Sequence, residues 1–118
     1  MPQLKTISVL KKRSEFLAVA AHRKKWVSAG FIVQIAPRDA ALSPSIAYGL
    51  TASKKMVSAL AVDRNRARRR LRALVQTLLP LQGLPQSNYV FLARKDILTL
   101  PHATLRQDLE KALSRLKL

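Results

Sequence analysis

The sequence predicts one α+β domain over residues 1–118, in the order helix, two or three strands, helix, strand, helix. Three observations predict it. Apolar residues make up 48% of the chain, a globular share, so the chain has the material for a core. Runs rich in β-branched and aromatic residues at 31–36, 46–52 and 89–93 read as strands, and apolar stripes of helical period at 71–79 and 105–116 read as helices. A chain of this length buries roughly two thirds of its unfolded surface, enough to hold together without a disulfide or a structural metal. It contains no cysteine, which removes zinc fingers, thiol chemistry and an oxidised framework, and fits a reducing cytoplasm.

Along the chain, Thr6–Leu10 precedes Lys11-Lys12-Arg13 and is too short, with its charges on the wrong side, for a signal segment. No run approaches the ~20 apolar residues of a membrane span, so no membrane partner is expected. Ser14–Ala21 reads as a short helix, with Leu10, Phe16, Leu17, Ala20 and Ala21 in partial helical spacing. Phe31–Ala36 reads as a strand and Pro37-Arg38-Asp39 as the start of a turn-rich link. In the strand Ile46–Ala52, the bulky Ile46, Tyr48, Leu50 and Ala52 point one way, and Ala47, Gly49 and Thr51 the other. The second face is nearly flat, which suits either the close approach of another backbone or a helix packed upon it. Asp63 is a good N-cap for a long helix that Pro80 stops, with Leu71, Leu74, Val75, Leu78 and Leu79 as its buried stripe. Leu81–Ser87 reads as a loop. Tyr89–Ala93 is apolar without alternation, as in a central strand covered on both faces. Pro101 suits the first position of a last helix whose stripe is Leu105, Leu109, Ala112, Leu113 and Leu116.

Charge decides the function class. Lys and Arg number 22 against 6 Asp and Glu, a net +16, which calls for a polyanionic partner. The basic residues cluster. Lys11, Lys12, Arg13, Arg23, Lys24 and Lys25 flank the first helix, and Arg64, Arg66, Arg68, Arg69, Arg70 and Arg72 follow one another with no acid among them. Arginine grips phosphate with a planar fork and stacks on bases, so the second cluster points to RNA or DNA. At about 100° per residue, Arg66, Arg69 and Arg70 lie opposite the apolar stripe and face outward. Arg64 and Arg68 continue the stripe toward the N-terminus and are expected to overhang the core, beside helix-end N–H groups suited to phosphate.

Little here suggests chemistry of the chain's own. The carboxylates Glu15, Asp39, Asp63, Asp96, Asp108 and Glu110 are scattered, and only Asp108 and Glu110 are close, at a spacing that does not align them on a helix. His22 and His102 have no triad or ligand spacing, and three glycines build no phosphate loop. The chain reads as a binder, with any catalysis supplied by its partner.

Gly49-Leu50-Thr51-Ala52-Ser53-Lys54-Lys55, followed by Ala61-Val62-Asp63-Arg64-Asn65-Arg66-Ala67-Arg68-Arg69-Arg70-Leu71-Arg72, resembles the protein subunit family of bacterial ribonuclease P. Leu10–Phe16 and Tyr89–Arg94 extend the likeness to nearly the whole chain. The resemblance implies a small two-layer α/β sandwich in the order αβββαβα, ribosomal protein S5 domain 2-like, with a left-handed crossover between parallel strands. It implies a ribonucleoprotein endoribonuclease in which a catalytic RNA, using magnesium, removes the 5′ leader from precursor tRNA while the protein, with no cofactor of its own, holds the RNA and the leader. The alternative is a ribosomal or other structural RNA-binding protein.

By position, the likeness assigns RNA binding to Lys54, Lys55, Arg64, Asn65, Arg66, Arg68, Arg69, Arg70 and Arg72. It assigns a leader cleft between the first helix and the sheet to Arg13, Phe16, Ile32, Gln34 and Thr51, joined by Arg64, Asn65 and Arg68. Three departures stand out. Ala20 and Gln34 replace frequent aromatics, so stacking in the cleft gives way to hydrogen bonding. The link Met56–Asp63 is longer than the family's and lacks its glycine, and His22 stands where a turn glycine is usual.

Overall fold

The computed structural model describes residues 4–118. Five strands form one sheet: β1 (Ile7–Val9), β2 (Lys24–Val27), β3 (Phe31–Pro37), β4 (Ile46–Thr51) and β5 (Ser87–Ala93). Three helices accompany them: α1 (Arg13–Ala21), α2 (Ala61–Gln82) and α3 (His102–Arg115), with a 3₁₀ turn at Lys95–Leu98. The sheet order is β1-β4-β5-β3-β2, so β5 is central, as its unbroken apolar run predicts. Strand β4 is parallel to both β1 and β5, and α2 is the crossover that joins β4 to β5.

One strand, β1, extends the predicted order, as a three-residue edge strand ahead of α1; β2 supplies the third strand between α1 and α2, a basic edge strand in which Lys24 and Lys25 obscure the short apolar pair Trp26-Val27. Antiparallel pairing sets Trp26 beside Val33 and brings it onto the core, which a reading of local pattern could not supply.

The face of the sheet under α2 and α3 holds the main core. Phe31, Val33, Ile35, Ile46, Tyr48, Tyr89 and Phe91 meet Leu71, Leu74, Val75, Leu78 and Leu79 of α2 and Leu105, Leu109, Ala112 and Leu113 of α3. Every residue of both predicted helical stripes is buried. Tyr89 is in this core, where its phenol oxygen accepts from the Leu84 N–H at 2.9 Å; burial pushes the phenol pKa up despite that bond.

The long helix differs from expectation at both ends. It starts at Ala61, with Leu60 as N-cap, and Asp63 is inside the first turn. There the Asp63 carboxylate accepts from the Ser58 hydroxyl, whose oxygen accepts from the Leu60 N–H, so the acid caps the helix through a relay. Pro80 is inside the last turn and does not stop the helix. Proline here removes the N–H that would bond the Gln76 carbonyl, but only two residues before the helix ends, and the Pro80 carbonyl accepts from the Lys5 N–H at 2.9 Å. The loop that follows therefore begins at Gly83, and strand β5 already begins at Ser87.

On the opposite face lies α1 alone. Glu15 accepts from the Lys12 N–H at 3.0 Å and caps this helix, which gives the lone acid of the basic stretch a structural task. The helix ends at His22 in right-handed geometry, and the left-handed residue is the next one, Arg23, at φ 61°. The position that favours glycine is thus Arg23, at a cost of about 1–2 kcal/mol to the fold.

Candidate nucleic-acid interface

The first half of α2 divides its arginines by task. Arg66, Arg69 and Arg72 are exposed along with Asn65, and among the described residues none of the α2 arginines pairs with a carboxylate. The single ion pair there, Arg106–Glu110 at 3.0 Å, lies on the outer side of α3. Arg66, Arg69 and Arg72 recur at intervals of three and make one uncompensated cationic ridge. Lys54 and Lys55, in the turn after β4, are exposed as well.

Arg70 corrects the sequence reading. Its guanidinium, half-buried, donates to the carbonyls of Ile97 and of Leu100, the latter at 2.8 Å, and so ties α2 to the 3₁₀ turn. Angular position on an isolated helix sends Arg70 outward, but the turn after β5 folds over that side of α2 and offers two carbonyls with free lone pairs.

Arg64 and Arg68 also turn back instead of overhanging open space. Arg64 donates to the carbonyls of Ser58 and Ala59 at 3.0 and 2.8 Å, and Arg68 donates to the Asn65 side chain. For Arg64 the cause is the early start of α2, which brings the last loop residues within reach of a first-turn side chain; for Arg68 it is helical spacing, which sets Asn65 three residues before it on the same helix. Val57, buried at 3% exposure, anchors that loop to the core.

The second candidate surface runs beside α1. Strand registers align Thr51, Leu92, Ile32 and Val27 in one row across β4, β5, β3 and β2, and Gly49, Val90, Gln34 and Lys25 in the next, all on the α1 side. Helix α1 covers the β4 and β5 part of the second row, Gly49 and Val90, and leaves Gln34 half-exposed and Lys25 exposed. Gly49 receives the Phe16 ring so closely that a Cβ built there would overlap the ring, so the flat face of β4 serves an aromatic side chain. Val19 and Val90 are buried with Leu10, Ala36 and Ala47, and Phe16 and Leu92 pack against this small cluster. The first row remains largely uncovered: Thr51, Leu92 and Ile32 are half-exposed and Val27 is exposed.

A trough results. Arg13, Phe16, Leu17 and Ala20 fall at i, i+3, i+4 and i+7, one stripe of α1 that forms its wall. At one end, Lys11, Arg13, Phe16, Leu17, Leu50 and Thr51 line a pocket of about 450 Å³. At the other, Ala20, Arg23, Lys24, Lys25 and Gln34 line one of about 340 Å³. Arg13, Phe16, Ile32, Gln34 and Thr51 are thus brought together along one helix edge. Arg64, Asn65 and Arg68 stand outside both linings. Sequence reading missed Leu92 and Lys25 as trough residues; the signal for each is cross-strand register, which pairs Leu92 with both Ile32 and Thr51 and Lys25 with Gln34.

Among the described residues, no three of the His, Asp and Glu side chains come together. No described helix is long and apolar enough to cross a membrane.

Comparison with known proteins identifies relatives of this chain. The family model for ribonuclease P matches residues 4–117. The ribonuclease P protein component of Paramagnetospirillum magneticum is 44% identical over 108 residues, which cover 90% of this chain and 80% of that protein. That of Ruegeria pomeroyi is 42% identical over 111 residues, covering 93% and 86%. Among solved structures, the RNase P protein from Thermotoga maritima superposes with a TM-score of 0.74 at 20% identity, over 92% of this chain and 96% of that one. The Staphylococcus aureus RNase P protein gives 0.70 at 19% identity, over 90% and 92%. At these identities the two structures show that the fold is shared.

Proposed function

The chain belongs to the ribonuclease P protein family and is the protein component of that ribonucleoprotein endoribonuclease; we propose that it holds the RNA subunit with the arginine ridge of α2 and takes the 5′ leader of precursor tRNA into the trough beside α1. The observation that carries this division is the trough: an apolar floor of Leu92 and Ile32 beside the Phe16 ring, with cations at both ends and no carboxylate lining either pocket. A single strand can lay bases on such a floor while its phosphates reach the flanking cations. A paired helix has no exposed base faces to offer it.

The ridge formed by Arg66, Arg69 and Arg72, with Asn65, Lys54 and Lys55 nearby in sequence, suits a folded RNA backbone, because phosphate contacts position without reading sequence. Arg64 and Arg68 exchange their present carbonyl and carboxamide partners for RNA only on binding, and Arg70 keeps its structural one. Magnesium, in this reading, belongs to the RNA subunit. The complex works in the cytoplasm, where precursor tRNA is processed.

The test is reconstitution. Purified protein added to the cognate catalytic RNA at low magnesium should raise cleavage of precursor tRNA and tighten binding of leader-bearing precursor over mature tRNA. Assembly with no gain for the leader would overturn the trough assignment.

A further inference from the structure

Strand β2 has a second face, turned away from the trough. Lys24 and Trp26 pair with Ile35 and Val33, residues of the main core, so both side chains stand on the side of the sheet that carries α3. Gly30, at the end of the β2–β3 turn, lets α3 come close, since a Cβ built there would meet the Leu105 side chain at 2.6 Å. Further along α3, Asp108 and Lys111 reach the strand, and with Trp26 and the hairpin residues Val27, Ser28 and Ala29 they line a hollow of about 270 Å³. Arg94 fixes the hairpin: its guanidinium donates to the Ser28 carbonyl at 2.8 Å and its backbone N–H to the Gly30 carbonyl at 2.9 Å. Trp26 is half-buried, and neither Asp108 nor Lys111 takes part in the one ion pair among the described residues. An indole ring, a carboxylate and an ammonium thus share one small site.

We propose that this hollow binds one unpaired guanine nucleotide of an RNA, with the base stacked on Trp26, its Watson–Crick edge on the Asp108 carboxylate, and the adjoining phosphates on Lys111 and Lys24. An aromatic ring takes any base by its face, whereas a carboxylate selects among their edges. Guanine carries two adjacent N–H donors on that edge, one for each carboxylate oxygen. Adenine and cytosine set one amino group beside an acceptor, and uracil sets its single N–H between two carbonyls; a carboxylate repels those acceptors. The volume admits one base and excludes a base pair, so the nucleotide must be unpaired. A cationic protein segment would also suit the ring and the acid, but the net +16 of the chain repels such a partner and draws RNA. The site lies on the opposite face of β2 from the trough and does not rest on the leader reading. The RNA subunit and precursor tRNA are the two sources of such a nucleotide, and the experiment separates them.

Trp26 is the one tryptophan of the chain, so tryptophan fluorescence reports on this site directly. The experiment titrates the protein with trinucleotides that carry guanine, adenine, cytosine or uracil between two uridines, and follows the quenching that a stacked base produces. The guanine trinucleotide should bind about tenfold more tightly than the other three, the discrimination that a two-bond base contact provides. Asp108→Ala should abolish the preference and keep the quenching. Lys111→Gln should weaken all four alike and lower the salt dependence by about one phosphate contact. Thermal unfolding checks that both variants keep the fold. Phe16→Ala, which acts on the trough, should change none of these titrations. In a second arm the RNA subunit alone and precursor tRNA alone replace the trinucleotides, and the one whose quenching falls with Asp108→Ala carries the guanine.

Equal affinity for the four central bases, or a preference for another base, would overturn the proposal. A guanine preference that persists in Asp108→Ala would overturn it too. Quenching that is lost with Phe16→Ala and kept with Asp108→Ala would place the nucleotide in the trough, against the proposal. Quenching by neither natural RNA would count against it in the same way. None of these outcomes touches the leader reading, which stands or falls by reconstitution.

Discussion

The two faces of the sheet are made by the same strands and treated in opposite ways. Under α2 and α3, alternate residues of β3, β4 and β5 meet two helices and are closed from water; under α1, the other residues meet one nine-residue helix and half of them stay within reach of solvent. The difference teaches where function can reside. A face covered by 22-residue and 14-residue helices supplies the stability that lets the opposite face remain open.

The comparison can be broken first on its closed side. Leu74→Ala, at a position 2% exposed between sheet and helices, should cost about 2–5 kcal/mol and lower the thermal midpoint, with no change in the ratio of precursor to mature tRNA bound. A shift in that ratio at retained fold would mean that the two faces are coupled.

Gly49→Val attacks the open side. The added side chain must displace the Phe16 ring, which should cost about 1–3 kcal/mol of stability and weaken precursor binding together. Denaturant unfolding and a binding titration on the same sample check both halves. Phe16→Ala, in contrast, should spare assembly with the RNA subunit while costing roughly 1–3 kcal/mol of precursor affinity where bases stack on the ring. Equal losses for precursor and mature tRNA would remove Phe16 from the leader site.

The smallest effects separate neighbours on α2. Arg70→Ala leaves the Ile97 and Leu100 carbonyls without their donor and should cost about 1–2 kcal/mol of stability. Arg69→Ala should leave unfolding unchanged within about 0.5 kcal/mol. It should instead lower the salt dependence of RNA binding by about one phosphate contact. Identical behaviour of the two variants in both assays would erase the distinction between a fold arginine and a ridge arginine.

How much of this was legible in the sequence follows from how local each feature is. The stripes of α2 and α3 and the central position of β5 depend on periodicity and apolar content, and both were readable from the chain. β1 depends on a partner distant in sequence, since Ile7–Val9 pairs with Ile46–Tyr48, whereas β2 pairs with the next strand and is masked by outer charges that can stay in water at a sheet edge. The same limit applies to the candidate site. Phe16 and Gly49 were each noted, but only tertiary structure seats one on the other. Arg70 is indistinguishable from Arg69 by residue type, and its role depends on a turn after β5 that no helical wheel contains. The basic stretch Arg23-Lys24-Lys25 was visible as charge, whereas its arrangement around Gln34 needed both the left-handed turn and the β2–β3 register.

The central claim is that two surfaces address two RNAs, and crosslinking from one residue on each measures it directly. Leu17 is exposed at the trough wall and Arg69 on the ridge. With a photoreactive group placed at either position in the ribonucleoprotein bound to precursor tRNA, position 17 should label the leader and position 69 the RNA subunit. Labelling of the same RNA from both positions, or of the RNA subunit alone from position 17, would contradict the account.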